Sequence, residues 1–113
     1  MTAEQLSELK DLLKQLRKIR IKIQNLNRRR IIPEAELAEA EEKQNDLLLR
    51  MQPLQDQLRK DVAAFQNPYM KTSIRCYYQG ESAKEIADLF GFAEAYIFRL
   101  IRAAERMVIS LEQ

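Results

Sequence analysis

Leu9, Leu12, Leu16, Ile19, Ile23 and Leu26 recur at spacings of three and four, and after Ile31-Ile32-Pro33 a second run of the same kind begins. A strand buries every second residue, so this spacing fits only a helix with one apolar stripe. The spacing is that of a coiled-coil seam, with Leu6 and Leu13 widening it on one side. Thr2 followed by Gln5 makes a capping box that opens the first helix, which is expected to run to about Arg30. Proline is tolerated in a first helical turn, so Pro33 reads as the start of a second helix. That helix carries Leu37, Ala40, Leu47, Met51, Leu54, Leu58 and Phe65 on one seam, with Gln44 at a seam position. Pro53 removes a backbone donor inside it, but the seam keeps its phase across the proline. The expectation is therefore a kink near Arg50 rather than a break.

Charge chooses how the two helices pack. Lysines and arginines from Lys14 to Arg30 crowd the end of the first helix, and acids from Glu34 to Asp46 crowd the start of the second. Folding back at Pro33 sets basic beside acidic, which predicts an antiparallel hairpin within one chain. Exposed pairs are worth only about 0–1 kcal/mol each, yet like-charge repulsion penalises the parallel alternative. The basic stretch is then a solvated face partly neutralised by its partner, with Arg28-Arg29-Arg30 least neutralised at the tip. The seam shows more apolar surface than one hairpin partner covers. This predicts a homo-oligomer through the N-terminal half, with Leu6, Leu9, Leu13, Leu16, Ile23 and Leu48 at the interface.

Residues 67–113 form a second unit, after a hairpin over 1–66. Asn67-Pro68 is an N-cap followed by a favoured first helical residue, and the helix it opens carries Met70, Ile74 and Tyr77 inward as far as the stop at Gly80. Ser82 with Glu85 starts a short helix whose apolar residues are Ile86, Leu89 and Phe90. Gly91 ends it, because glycine enters the left-handed region without a Cβ penalty, and Phe92 plugs the turn. A longer helix starts near Glu94 with Ile97, Leu100, Ile101, Ala104 and Val108 on its buried side. Two helices joined by a short glycine-containing turn make a helix-turn-helix. The expected fold is all-α: a helical hairpin or coiled coil, then a three-helix helix-turn-helix unit.

Ser82 to about Met107, with the lead-in Ile74-Arg-Cys-Tyr-Tyr-Gln-Gly80, resembles region 4 of bacterial sigma factors. It resembles still more the small phage-encoded transcriptional regulators with a sigma-like C-terminal helix-turn-helix. The chain departs from that pattern at Ala93, where Ser or Thr usually caps the second helix, and at Glu94, where a basic residue would meet phosphate. The resemblance implies a cytoplasmic, phage- or mobile-element-encoded regulator of transcription.

With Ile97 and its neighbours inward, the opposite face of the last helix holds Ala95, Arg99, Arg102 and Arg106, with Tyr96 and Phe98 on the flanks. A recognition helix reads base edges from the outward side of its N-terminal part. Arg99 is placed for a bidentate contact to guanine and Ala95 for a thymine methyl. Arg102, Arg106 and Lys84 are placed for phosphates. Three arginines without an acid among them stand out in a unit that is neutral as a whole, with six basic residues against six acidic ones once Glu112 is counted. The bland alternative is a solvated face on an ordinary three-helix bundle. The predicted partner is double-stranded DNA. The alternative function is a protein-interaction module of the same fold that binds and inhibits RNA polymerase or another host protein.

The chain has no histidine, which removes imidazole catalysis and histidine metal ligation. It has no phosphate-binding glycine motif and no cysteine cluster, so neither an enzyme nor a cofactor is expected. Tyr77-Tyr78 as a DNA-cleaving nucleophile pair is the weaker reading beside two packed tyrosines. The lone Cys76 cannot form an internal disulfide and reads as a small buried apolar residue. No apolar run approaches the ~20 residues that span a bilayer, and the N-terminus lacks the apolar stretch of a signal peptide. The net charge of +2 is too small to argue for nucleic acid by itself.

Overall fold

A computed structural model describes residues 1–111, and Glu112 lies outside them. The described residues are all-α, with α1 (Ala3–Asn27), α2 (Glu34–Val62), α3 (Pro68–Tyr78), α4 (Ala83–Phe90) and α5 (Glu94–Ser110). The local signals set most helix ends. The Gln5 backbone N–H donates to Thr2 Oγ1 at 3.1 Å while the Thr2 N–H donates to Gln5 Oε1 at 2.9 Å, a complete capping box. Asn67 Oδ1 accepts from the N–H groups of Tyr69 and Met70, and Ser82 Oγ accepts from that of Glu85. Gly91 ends α4 at φ 72°. Pro33 stands one place outside the second helix, which opens at Glu34. α1 stops at Asn27, short of the expected Arg30. α2 runs unbroken through Pro53 with Met51, Leu54, Leu58 and Val62 all buried.

α1 and α2 pack antiparallel. The N-terminal ammonium pairs with Asp61 at one end of the hairpin, and Arg29 Nη1 lies 3.9 Å from Glu36 Oε2 at the other. Among the described residues, Arg29–Glu36 is the one ion pair joining the basic block to the acidic block, and both side chains are exposed. Such a pair contributes little. Apolar packing of α1 leucines against Leu47, Met51, Leu58 and Val62 holds the hairpin together.

The width of the α1 stripe has a different cause from the one expected. Leu6, Leu9, Leu13 and Leu16 are at most 3% exposed within the single chain. They share a core with Ile74 and Tyr78 of α3 and with Ala104 and Val108 of α5. The apolar surface that one hairpin partner leaves open is covered by the C-terminal helices, so these four leucines are removed from the oligomer interface. Ile23 and Leu48 are half-buried against the same core.

A second, smaller cluster joins Ala83, Ile86 and Ala87 to Ile97, Leu100 and Ile101, and Met70 and Tyr77 pack against both clusters. Apolar packing therefore crosses position 66/67 without a gap. Leu89 corrects the expected α4 face, being 67% exposed. Ala83, Ile86, Ala87 and Phe90 define the inward stripe, and at about 100° per residue Leu89 lies some 120° from its centre.

Candidate nucleic-acid interface

The five residues expected on the buried side of α5 are all buried: Ile97, Leu100, Ile101, Ala104 and Val108. This fixes the helix's rotation. Ala95, Arg99, Arg102 and Arg106 are exposed on the other side, and Tyr96 is 42% exposed. Arg99, Arg102 and Arg106 follow one another at three and four residues, so their guanidinium groups share one face. Among the described residues none of the three is ion-paired. Lys84 is exposed on α4, outside that stripe.

The start of α5 lacks side-chain help. Ala93 makes no capping hydrogen bond, and Glu94 stands in the first turn. An acid there favours the helix through its dipole but repels a phosphate. Beside it the turn is built from rings. Tyr69 meets Phe90 and Phe92 edge-on at 5.2 and 5.0 Å, and Phe92 meets Tyr96 at 5.1 Å. Phe92 fills the turn as expected. Tyr69, 45% exposed, and Tyr96, 42% exposed, bring this ring cluster to the surface.

A groove of about 520 Å³ runs between α1 and α5. Leu13, Ile21, Tyr77, Phe98 and Ile101 line it together with the cations Lys14, Lys18 and Arg102. The ion pair from Lys10 Nζ to Glu105 Oε2, at 2.6 Å, lies at the same groove. Two further α1 cations, Arg17 and Arg20, are engaged in the fold. Arg17 Nη2 donates to the Glu81 carbonyl at 3.2 Å, and its Cζ sits 4.6 Å above the Tyr77 ring. Arg20 covers the turn between α3 and α4. Gly80 has φ 109° there, and a Cβ on it would lie 2.4 Å from Arg20 Nη1. On the far side Gln55 Nε2 donates to the Tyr78 carbonyl at 2.8 Å. The hairpin thus grips the end of α3 from both sides. In the sequence Arg17 is one cation of a basic run, and nothing local marks it as a joint.

Tyr78 is fully buried, and its hydroxyl lies near the Glu105 carboxylate without a well-formed hydrogen bond among the described residues. Burial, followed by the nearby Glu105 carboxylate, holds the phenol well above its ordinary range. A buried phenol that keeps its proton is no nucleophile, so Tyr78 is a packing residue, and Tyr77 packs edge-on against Tyr78 and Phe98. Tyr78→Phe removes an unsatisfied polar atom and is expected to leave stability unchanged or raise it by about 1 kcal/mol in urea unfolding. The folded chain keeps this proton where the unfolded phenol has lost it. The contribution of Tyr78 is therefore whole below an unfolded pKa of about 10 and falls as pH climbs toward the folded value. Tyr78→Phe should flatten that alkaline loss. Cys76 is half-buried, and burial followed by Glu81 pushes its thiol up, which leaves it little thiolate character.

Comparison with protein-family models, curated proteins and solved structures gave no match. No helix among the described residues is long and apolar enough to cross a membrane.

Proposed function

We propose that this chain is a sequence-specific double-stranded-DNA-binding regulator of transcription, of the phage-encoded kind that its C-terminal third resembles. The observation that carries the reading is the unpaired arginine face of α5 opposite a fully buried stripe. A solvated helix face normally mixes signs, whereas Arg99, Arg102 and Arg106 present one sign along about two turns. In this reading Arg99 and Ala95 meet base edges, and Arg102, Arg106 and Lys84 meet phosphates. The function needs no cofactor and no catalysis. If the chain self-associates about a two-fold axis, its half-sites lie about one helical turn apart or a multiple of that.

The test is electrophoretic mobility shift or fluorescence anisotropy on the DNA upstream of the protein's own gene, across a salt series. Binding should weaken steeply as salt rises, because each phosphate contact releases condensed counterions. Glu94→Lys should tighten binding roughly three- to thirtyfold at low salt and steepen the salt dependence by about one unit. The absence of salt-sensitive binding in the wild type, with no gain in Glu94→Lys, would remove the DNA reading.

One observation favours a second reading, a module that binds RNA polymerase or another host protein. Tyr69 and Tyr96, both exposed and both packed on Phe92, make the kind of aromatic surface on which protein interfaces centre. In that case Tyr96→Ala would abolish activity and the arginine substitutions would not.

A further inference from the structure

The hairpin sets a second cationic stripe beside the arginine face of α5. From Leu12 to Pro33 the chain contains no acid. Lys14, Lys18 and Lys22 follow one another there at four-residue steps, so they share one face of α1. All three are exposed, and among the described residues none is ion-paired, so the acidic block of α2 leaves their charge in place. On one flank Lys18 and Lys22 border a small cavity with Gln15, Ile19 and Lys43, and no carboxylate lines it. On the other flank Lys14 and Lys18 line the groove between α1 and α5 together with Arg102. Glu105 is the one acid lining that groove among the described residues, and Lys10 is paired with it.

Two contacts give the direction of the stripe. Lys10 meets Glu105, while Arg17 lies over the Tyr77 ring, which is 6.4 Å from that of Phe98. α1 therefore runs antiparallel to α5, and the stripe advances toward the end of α5 that carries Arg99. A recognition helix occupies a major groove about 12 Å wide, so each wall of the groove stands about 6 Å from its centre. Packed helices lie about 8–10 Å apart, which sets a neighbour of the recognition helix over the sugar-phosphate strand at that wall. We infer that Lys14, Lys18 and Lys22 carry the DNA interface beyond the helix-turn-helix, by holding phosphates of the strand that flanks α5. Arg102 belongs to both stripes and joins them into one surface. Lysine suits a groove lined by Ile21 and Phe98, because its stem covers apolar surface while its ammonium stays in solvent. Base readout remains with Ala95 and Arg99. The inference rests on the DNA reading and adds the hairpin to it.

The experiment is fluorescence anisotropy of the full chain across a salt series, on a labelled duplex from the DNA upstream of its own gene and on a scrambled duplex. Lys14→Gln/Lys18→Gln removes two charges from the stripe. Arg59→Gln/Lys60→Gln removes two from the last turn of α2, away from it. Circular dichroism checks that both variants keep their helices. Each phosphate contact contributes about 0.9 to the slope of log K against log salt, so the α1 variant should flatten the slope by about two units. It should weaken binding to both duplexes roughly thirty- to three-hundredfold at about 50 mM salt. The ratio of cognate to scrambled affinity should hold, because phosphates carry no sequence. The α2 variant should move the slope by less than about half a unit. An α1 variant that keeps the wild-type slope, or flattens it no more than the α2 variant does, would overturn the inference. Arg102→Ala flattening the slope in the same assay would then leave the DNA reading standing. A lost preference for the cognate duplex in the α1 variant would overturn the assignment to phosphates. A wild type without salt-sensitive binding would remove the DNA reading and this inference with it.

Discussion

Arg99→Ala should remove the protein's discrimination between its own site and scrambled DNA while leaving residual binding to both. Of the three arginines on the exposed face of α5, Arg99 lies nearest the N-terminus. That is the part of a recognition helix that reaches base edges. A lost bidentate contact to guanine costs roughly 1–3 kcal/mol, and the loss falls at one base position. Arg102 and Arg106 lie farther along the helix, where the proposed reading assigns them to phosphates. Arg102→Ala or Arg106→Ala should weaken cognate and scrambled DNA alike and flatten the slope of log K against log salt by about one unit. All three side chains are exposed and unpaired among the described residues, so their loss should barely touch folding, and circular dichroism provides that control. If all three variants weaken every sequence equally, the face is an electrostatic footprint without base readout. If none changes DNA binding while Tyr96→Ala abolishes activity, the aromatic corner is the functional surface.

What was legible in the sequence follows from how local each signal is. Thr2–Gln5, Asn67-Pro68, Ser82–Glu85 and Gly91 act over one turn, and each marks the helix end it was expected to mark. The buried stripe of α5 depends only on helical period, so its exposed arginine face came with it. Leu6 and Leu13 show where the legibility stops. Their excess of apolar surface could be read from the sequence, but periodicity states how much surface needs covering and not what covers it. The cover is α3 and α5, and no local signal names them. Arg17 fails for the same reason. A cation in a basic run looks like its neighbours until the fold brings the Glu81 carbonyl and the Tyr77 ring to it. Leu89 was a narrower miss, since Ala83 and Ala87 set the inward face of a helix too short to average out one large residue.

Leu16→Ala should destabilise the whole chain by about 2–5 kcal/mol, and both halves should melt earlier together. Leu16 is fully buried in the larger core, and its Cδ2 also reaches the Gly80 turn between α3 and α4. Truncating it leaves a cavity where the hairpin meets the C-terminal helices, so the cost is not confined to the hairpin. The chain supplies its own probes, because its four tyrosines, Tyr69, Tyr77, Tyr78 and Tyr96, all lie after the hairpin. Tyrosine fluorescence therefore reports the C-terminal helices alone. Far-UV circular dichroism weighs α1 and α2 heavily, since they are the two longest helices. In the wild type the two signals should change in one coincident urea transition. In Leu16→Ala both midpoints should move to lower urea by the same amount, although the substitution lies in α1 and all the tyrosines lie elsewhere. Leu37→Ala, half-buried near the hairpin tip, should cost less and serves as the comparison. If Leu16→Ala shifts the circular dichroism transition and leaves the tyrosine transition in place, the hairpin and the helix-turn-helix unit fold independently. The packing of α5 on α1 would then be a dockable interface between two domains and not a shared core.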